Sequence, residues 1–353
     1  MELIQFLRSV VDKKSSDIYI IAGRPITYKL NGHMVADDDE KLDSETAGNI
    51  VEQIYEMAGN RNIERLVQTG DDDFSFALPG ISRFRVSAYK QRGSYAAVIR
   101  VVRFDLPDPT EIMIPDVVLG LSGYTRGMVL VTGPAGSGKS TSLACIIDKI
   151  NDTRNDHIIT LEDPLEYLHT HKNSIVSQRE ISSDTESYVK ALRAALRQSP
   201  DVVLVGEMRD YETINIAMTA AETGHLVIST LHTVGAANTI DRVIDAFPSN
   251  QQHQIRIQLS MVLQAVVSQQ LIPTEDKKVV PAFEVMIVNS AVRNMIRESK
   301  IHQIDTVIQS SAAEGMITMD TSLLNLYKRN IISEKEAIAH ATNPDVLSKR
   351  IRM

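Results

Sequence analysis

The chain has 353 residues, of which 43% are hydrophobic and 23% charged, with a formal net charge of -8. At about 150 residues per domain, this length predicts two domains of ordinary globular composition. We find no apolar run long enough to cross a membrane and no N-terminal secretory signal. The single cysteine, Cys145, excludes an internal disulfide and a cysteine zinc knuckle, and the acidic balance disfavours a broad nucleic-acid surface.

The first hundred residues predict a small domain of helices and short strands. Apolar residues at helical spacing predict a helix over residues 1–18, and Ser44 caps a second helix that ends at Met57. Asn31-Gly32 has the composition of a hairpin turn. Strands are predicted at residues 17–21, 25–30, 74–78, 82–90 and 94–103.

Three prolines in residues 104–116 predict a linker, because proline interrupts both helices and central strands. We therefore expect a first domain at residues 1–103 and a second at residues 117–353. In the second domain strands alternate with amphipathic helices, which is typical of a mostly parallel sheet covered by helices. The strands are predicted at 128–132, 157–161, 202–205 and 226–230, the helices at 139–150, 185–198 and 211–222, and the last hundred residues are predicted to be mainly helical.

The strongest motif is GPAGSGKS at residues 133–140, which fits G-x-x-x-x-G-K-[ST] between an apolar strand and a helix. Its glycines allow a tight turn whose N–H groups point at a phosphate, and the helix adds its positive N-terminal end. Lys139 brings charge to the β- and γ-phosphates of ATP, and the Ser140 hydroxyl is a ligand for Mg²⁺. The predicted nucleotide-binding residues are Gly133, Ala135, Gly136, Ser137, Gly138, Lys139, Ser140 and Thr141.

Acidic residues follow two apolar strands of the second domain. Glu162 and Asp163 follow one, and Glu207 and Asp210 follow the other. Carboxyl ends of parallel strands meet at the ligand-binding edge, so one carboxylate can polarise the attacking water and another can support Mg²⁺. Gly206 stands where a Walker B strand usually carries Asp, and Glu207 follows one residue later. We therefore interpret Glu207 as the residue that serves the metal and Glu162 as the general base. The alternative is helix capping, above all for Asp163 and Asp210.

His232 ends another strand, in the polar run STLHT at residues 229–233. A histidine there can report the γ-phosphate through a hydrogen bond. A lone histidine at a strand end is more often structural, but the polar cluster and the sheet position favour a sensor. His225, at the opposite end of that strand, is the weaker candidate.

Four arginines lie on two neighbouring strands of the first domain: Arg83, Arg85, Arg100 and Arg103. Such a cluster suits a partner that carries phosphate charge. In a ring of subunits, these side chains could reach the ATP of a neighbour. The alternative is a solvated charged face, and the residues alone favour that alternative.

At these motifs the sequence resembles the PilT family of secretion and pilus ATPases over nearly its whole length. GPAGSGKST is similar to the family's Walker A, TLEDPLEY to its acidic box, PDVVLVGEMRD to its Walker B and GHLVISTLHT to its histidine box. RFRVSAYKQRGSYAAVIRV resembles the family's N-terminal hairpin, and AVRNMIRE at residues 291–298 resembles its retraction signature. One departure is Tyr19, which stands where relatives usually carry His.

The resemblance implies a PAS-like first domain, a RecA-like second domain and a cytoplasmic homohexamer at the inner face of the membrane. It implies that Glu162 is the general base, that Glu207 lies at the metal and that His232 reads the γ-phosphate. Arg85 and Arg100 fall where the family's intersubunit arginines lie. The partner implied is the inner-membrane platform protein of a type IV pilus, which provides the only membrane association, and the outcome is pilus retraction.

Other functions remain open at this point. An assembly motor for pili or type II secretion usually has an added N-terminal domain and a four-cysteine zinc site, for which one cysteine is too few. An accessory retraction paralogue would share the core motifs. A RecA-like nucleic-acid translocase is disfavoured by the acidic balance, so we expect no direct nucleic-acid partner. A nucleotide sensor without turnover is disfavoured by intact Glu162, Glu207 and His232.

Overall fold

Two β-sheets organise the chain in a computed structural model, which describes residues 3–30, 32–102, 106–276 and 278–352. The described residues up to 102, together with 165–168, form a first compact unit, and the remainder form a second. Arg103, the start of the predicted linker and Asn31 of the predicted hairpin turn lie outside the described residues. None of the described helices has the length and apolar character needed to span a membrane.

The first unit contains a six-stranded antiparallel sheet with helices α1 (Leu3–Asp12), α2 (Ser44–Met57) and α3 (Glu64–Thr69). Its strands run in the order β3-β2-β1-β6-β5-β4. They are β1 (Asp17–Ile20), β2 (Thr27–Leu30), β3 (His33–Ala36), β4 (Asp71–Leu78), β5 (Ser82–Gln91) and β6 (Ser94–Val102).

Apolar periodicity explains the core of this unit. Helix α1 buries Leu3, Phe6, Leu7 and Val10, which recur at helical spacing on one face. Strand β5 alternates, with Phe84 and Val86 in the same apolar cluster as the helices. Helix α2 is capped by Asp43, whose Oδ1 accepts a hydrogen bond from the Thr46 N–H at 2.7 Å. The prediction that Ser44 is the cap is therefore wrong by one residue, because the neighbouring carboxylate takes the N-terminal amide.

The second unit is built on a seven-stranded sheet in the order β13-β12-β7-β11-β10-β8-β9. Every neighbouring pair is parallel except β12 with β13. Its central strands are buried on both faces, as expected of a parallel sheet between helical layers. The strands are β7 (Gly127–Thr132), β8 (His157–Glu162), β9 (Ile175–Glu180), β10 (Val202–Val205), β11 (Leu226–Leu231), β12 (Leu263–Pro273) and β13 (Val279–Ile287).

Helices cover both faces of this sheet, and their buried residues form separate apolar clusters. Helix α5 follows the phosphate-loop motif and buries Leu143, Ile146, Ile147 and Ile150, as its sequence pattern predicts. The helices are α4 (Asp116–Leu119), α5 (Lys139–Thr153), α6 (Tyr188–Ala195), α7 (Tyr211–Glu222), α8 (Ala236–Asp245), α9 (Gln252–Val262), α10 (Ser290–Arg297), α11 (Ile304–Ser310), α12 (Met319–Lys328), α13 (Glu334–Ala339) and α14 (Pro344–Arg352).

The prediction that the last hundred residues are mainly helical missed the hairpin of β12 and β13. Both strands are largely buried. Strand β13 is mostly apolar and β12 mixes apolar and polar residues without sustained alternation, so neither shows the period of a half-buried strand. Strand β9 was also missed, because its sequence IVSQRE is mostly polar after two apolar residues. Within the predicted linker, Ile114 is buried in an apolar cluster with residues of α4 and α5.

Candidate nucleotide-binding site

The carboxyl ends of four parallel strands bring the predicted residues of the second unit to one sheet edge. Thr132 of β7 is in register with Leu231 of β11, and Val205 of β10 is in register with both Ser229 of β11 and Leu161 of β8. The phosphate loop, His232, Glu207 and Glu162 therefore leave the sheet on the same side. This is the edge at which open α/β sheets bind ligands.

The phosphate loop connects β7 to α5 and owes its shape to three glycines. Gly133, Gly136 and Gly138 have positive φ angles of 139°, 75° and 85°. A Cβ on Gly133 would also lie 2.2 Å from the Gln269 carbonyl oxygen, so no other residue fits there. Gly138 is the N-cap of α5, which leaves the first amides of that helix directed at the loop.

The remaining loop residues differ in burial. Pro134, Ala135 and Gly136 are exposed, whereas Ser137 and Lys139 are buried. Lys139 Nζ donates hydrogen bonds to the carbonyl oxygens of Gly133 and Pro134, each at 2.8 Å. The lysine is thus held inside the curve of the loop. Ser140 and Thr141 occupy the first turn of α5 and are half-buried.

A buried hydroxyl in this loop fits an anion ligand. The Ser137 Oγ is buried without a hydrogen-bond partner in the described part of the chain. A buried polar atom without a partner is costly, so native structures satisfy it with protein, water or ligand. The loop geometry, the lysine and this hydroxyl together fit the phosphates of a nucleotide.

Gln269 on β12 is a residue of the site that the sequence analysis missed. It is 3% exposed, and its Oε1 accepts a hydrogen bond from Ser142 Oγ at 2.8 Å. It touches both ends of the phosphate loop. The missed strand explains the omission, because without β12 nothing in the sequence places Gln269 beside β7.

Glu162 ends β8, where two polar side chains orient it. Thr160 Oγ1 donates a hydrogen bond to Glu162 Oε1 at 2.6 Å, and Gln178 Nε2 lies 3.5 Å from the same oxygen. Asp163, the next residue, is exposed. Strands are spaced about 4.8 Å apart, so the end of β8 lies roughly 14 Å from the end of β7, with β11 and β10 between them.

Glu207 follows β10, which lies one strand closer to the phosphate loop, at roughly 10 Å by the same spacing. Its carboxylate is largely buried, and its Oε2 lies 2.6 Å from Arg209 Nε and 3.3 Å from His232 Nε2. Glu207 is therefore the nearer of the two glutamates. Asp210 instead caps α7, because it accepts hydrogen bonds from the Thr213 N–H and Oγ1 at 2.9 Å.

The structure explains why glycine stands before Glu207. A Cβ on Gly206 would lie 2.9 Å from the Tyr188 hydroxyl and 3.1 Å from the Leu161 carbonyl oxygen. Tyr188, on α6, is a second residue that the sequence analysis missed. Burial, reinforced by the Glu207 carboxylate, raises the pKa of Tyr188 well above its usual range. The phenol is therefore protonated at neutral pH and is available as a hydrogen-bond donor beside the two glutamates.

His232 directly follows β11, and about half of its side chain is exposed. The loop that follows it is anchored from the β12–β13 hairpin. The Gly235 N–H donates to Ser268 Oγ at 2.9 Å, and the Ala236 N–H donates to the buried Glu284 carboxylate at 2.7 Å. By contrast, the His225 Nδ1 lies 3.0 Å from the Ala220 carbonyl oxygen, at the other end of the strand.

The arginines of the first unit lie on the sheet face opposite the apolar cluster. Arg85 of β5 is the cross-strand partner of Arg100 of β6. Arg100 Nε also lies 2.9 Å from Asp17 Oδ1, on β1. Like charges directly opposite one another are unfavourable unless an anion offsets them, and Asp17 offsets this pair in part. Arg83 is half-buried on the same face.

The AVRNMIRE segment forms α10, with Val292 and Ile296 in its buried face. Arg293 Nη1 donates hydrogen bonds to the Ser260 and Met261 carbonyl oxygens at 2.7 and 3.0 Å. These carbonyls belong to the last turn of α9. Arg293 therefore caps the end of that helix, which gives this part of the signature a structural role.

The donor set at the sheet edge is compatible with Mg²⁺. No group of three or more His, Cys, Asp or Glu residues that could hold a metal is found among residues 3–30, 32–102, 106–276 and 278–352. A Mg²⁺ ion that accompanies a nucleotide needs only one or two protein ligands, since phosphates and waters supply the others. Ser140 and Glu207 offer the hydroxyl and carboxylate oxygens that it prefers.

Comparison with known proteins finds relatives over nearly the whole chain. Residues 2–343 match the family model described as T2SSE, type II/IV secretion system protein. A twitching motility protein of Neisseria gonorrhoeae is 43% identical over 348 residues, which cover 98% of this chain and 92% of the relative. The type IV pilus retractation ATPase PilT of Pseudomonas aeruginosa is 41% identical over 345 residues, 98% of this chain and 99% of the relative.

A solved structure described as "Crystal Structure of the Pilus Retraction Motor PilT and Bound ADP" is 42% identical to this chain. It superposes with a TM-score of 0.89 and covers 99% of both chains. This match confirms the predicted fold class, a PAS-like α+β domain followed by a RecA-like domain with a mostly parallel sheet and a helical C-terminal part. The chain belongs to the type II/IV secretion system protein family and, within it, to the PilT family.

Proposed function

We propose that this chain is the Mg²⁺-dependent ATPase of a type IV pilus retraction motor. The observation that carries the proposal is the sheet edge at which a complete phosphate loop, two glutamates and a histidine leave neighbouring parallel strands. Support comes from the 42% identity to a retraction motor solved with ADP, and from full-length relatives named for twitching motility and retraction.

Nucleotide binding is assigned to the loop at residues 133–141. Its amides and the N-terminal end of α5 favour negative charge, and the Lys139 ammonium exchanges the carbonyl oxygens of Gly133 and Pro134 for phosphate oxygens. Mg²⁺, when bound, would neutralise charge that develops on the phosphates. Ser140 and Glu207 would hold it, and the Arg209 guanidinium beside Glu207 Oε2 would keep that carboxylate charged and oriented.

Hydrolysis is assigned to Glu162 as general base. Thr160 fixes its carboxylate through the 2.6 Å hydrogen bond, so the group is oriented before a water molecule arrives. The carboxylate takes a proton from that water as the water oxygen bonds to the γ-phosphorus, and the bond from that phosphorus to the β–γ bridging oxygen breaks, so that ADP leaves with the electron pair. His232, held beside Glu207, is assigned to sensing the γ-phosphate, and the loop after it transmits the change to α8.

We further propose that the functional assembly is a homohexamer with its domains at residues 1–103 and 117–353, joined by the linker at 104–116. In the ring, Arg85 and Arg100 of one subunit reach the nucleotide of the next. The ring acts in the cytoplasm at the inner face of the membrane, where it moves the inner-membrane platform protein of the pilus. It associates with the membrane only through that protein and requires no nucleic acid.

The experiment that tests the activity is steady-state ATP hydrolysis by the purified chain, with its mass in Mg²⁺-ATP measured in the same buffer. We expect hydrolysis by a hexamer. Glu162→Gln should bind nucleotide but lose turnover, because the pocket remains while the base is lost. Lys139→Ala should lose binding as well. Glu162→Gln turning over at the parental rate would refute the assigned base, and a chain inactive even with its platform partner would refute the motor.

The direction of pilus movement needs a second measurement, in cells whose gene for this chain is deleted. A retraction motor predicts cells that still display pili but cannot twitch, with twitching restored by the parental gene and not by Glu162→Gln. Cells without pili would indicate an assembly motor, and partial loss of retraction force would indicate an accessory paralogue. Stimulation of hydrolysis by single-stranded DNA would instead favour a translocase.

A further inference from the structure

Gln269 joins the phosphate loop to the rest of the sheet from a strand that contributes none of the recognised motifs. We propose that Gln269 is a positioning residue that holds both ends of the phosphate loop and thereby sets the affinity for the nucleotide. This inference rests on the proposed nucleotide site and adds a residue to it that the loop motif does not contain.

Gln269 lies close to two glycines of the phosphate loop. Its backbone carbonyl oxygen would lie 2.2 Å from a Cβ on Gly133, at the start of the loop. Its side-chain Nε2 would lie 2.8 Å from a Cβ on Gly138, at the end of the loop. Residue 269 of β12 therefore packs against both ends of the segment, at the start through its backbone carbonyl and at the end through its side chain. Only the side-chain contact depends on glutamine at this position.

A buried hydrogen bond joins Gln269 to the helix that follows the loop. Ser142 Oγ donates to Gln269 Oε1 at 2.8 Å, and both residues are buried. The Ser142 N–H donates to the Gly138 carbonyl oxygen at 3.1 Å. Gln269 thus fixes the first turn of α5 through Ser142, and that turn carries Lys139 and Ser140.

The chemistry of the side chain fits this role. An amide accepts from Ser142 with its oxygen and presents its NH₂ group to Gly138. A leucine of similar size can do neither, and it leaves the Ser142 hydroxyl buried without its acceptor. Small displacements at a phosphate loop matter because its amides bind the anion only when they converge on one point.

The neighbouring Gln270 offers a matched control on the same strand. Gln270 is half-buried, and its Nε2 lies 3.3 Å from the His340 carbonyl oxygen, in the C-terminal part of the second unit. It shares the residue type and the strand, but among the described residues none of its atoms is a nearest neighbour of a Cβ placed on Gly133, Gly136 or Gly138. General weakening of β12 should affect both variants, whereas loss of loop positioning should affect only Gln269.

The test is the dissociation constant of a fluorescent ADP analogue, measured with Mg²⁺ on the full chain, with thermal unfolding recorded beside it. We expect Gln269→Leu to weaken binding by about tenfold and Gln270→Leu by less than about twofold. Ser142→Ala should weaken binding less than Gln269→Leu. The double variant should bind like Gln269→Leu alone, because each substitution removes the same hydrogen bond between the two side chains.

Other outcomes separate this inference from the proposed function. Parental protein that does not bind the analogue would refute the nucleotide site itself. Parental affinity in Gln269→Leu, or equal losses in the Gln269 and Gln270 variants, would refute the positioning role alone. Should Gln269→Leu fail to fold, Ser142→Ala and Gln269→Glu decide the matter, and unchanged affinity in both would overturn the inference.

Discussion

The carboxylate of Glu207 lies 3.3 Å from Nε2 of His232, so two residues that follow adjacent strands meet at the carboxyl edge of the sheet. This contact depends on sheet pairing, because it forms only when β10 and β11 lie side by side in their parallel register. We therefore expect a nucleotide that contacts one of the two residues to change the hydrogen bonding of the other.

The first prediction concerns this contact. His232→Asn should lower ATP turnover by at least about tenfold while ADP affinity stays within about threefold, because the phosphate loop is untouched. The measurement is kcat beside the dissociation constant of ADP. His225→Asn is the matched control, since its ring sits at the far end of β11, and its turnover should stay within about twofold. Equal losses in the two variants would assign both histidines to stability instead.

The second prediction concerns Gly206. Gly206→Ala should destabilise the protein by about 1–3 kcal/mol and reduce turnover, because its methyl group must displace the Tyr188 hydroxyl and presses on the Leu161 carbonyl oxygen. Urea unfolding and steady-state hydrolysis measure the two effects. Gly120→Ala is the control, because φ there is -62° and a Cβ meets nothing within 4 Å, so both quantities should stay parental. If Gly206→Ala had parental stability and parental turnover, the close packing around Gly206 would not explain why glycine stands there.

Sequence reasoning located the local motif and the strand ends, and it failed where function depends on non-local pairing. The glycines, Lys139 and the flanking strand and helix are contiguous, so their geometry follows from the order of residues. Gln269 and Tyr188 reach the site only through sheet order and helix packing, which a single sequence does not encode locally. A buried strand such as β12 has no two-residue alternation of apolar and polar residues. The sequence therefore contains no signal for a strand within the last hundred residues, which were predicted to be mainly helical.

The third prediction tests the arginines of the first unit. Arg85→Ala should reduce hydrolysis, and mixing it with an otherwise inactive Lys139→Ala subunit should restore part of the activity. The reason is that a Lys139→Ala subunit still offers Arg85 to the nucleotide of its neighbour. Hydrolysis by mixed rings is compared with the sum of the separate preparations. Exposed Arg92, at the turn of the same hairpin, is the control, and Arg92→Ala should retain parental activity. Absence of any rescue would count against action between subunits.

The fourth prediction concerns the only cysteine of the chain. Cys145 is buried on α5, and burial raises the pKa of its thiol to about 11. The thiolate is the reactive form, so labelling by a maleimide at pH 7.5 should be slow in native protein and fast in denaturant. A thiol reagent followed by mass spectrometry measures this, with Cys145→Ser as the blank. Complete labelling within seconds in native buffer would show that this face of α5 opens.

The last prediction is a pH dependence of stability that arises from His169. Burial lowers the pKa of this imidazole to about 4 from an ordinary 6.5, and its Nδ1 lacks a hydrogen-bond partner in the described part of the chain. The unfolded chain therefore binds the proton more readily than the native chain between those values, so the free energy of unfolding should fall as pH drops from 6.5 to 4. The contribution is on the order of 3 kcal/mol at most.

Replacing the imidazole separates this effect from the titration of carboxylates in the same range. His169→Leu should flatten the difference in unfolding free energy between pH 6.5 and pH 4.5, measured by urea denaturation, while the exposed His33→Gln leaves it as in the parent. Because the leucine cannot be protonated, the variant should gain stability relative to the parent as the pH falls. If the two stability curves stay parallel across this range, then His169 takes up its proton over the same pH range in the native and the unfolded chain, which would refute the prediction.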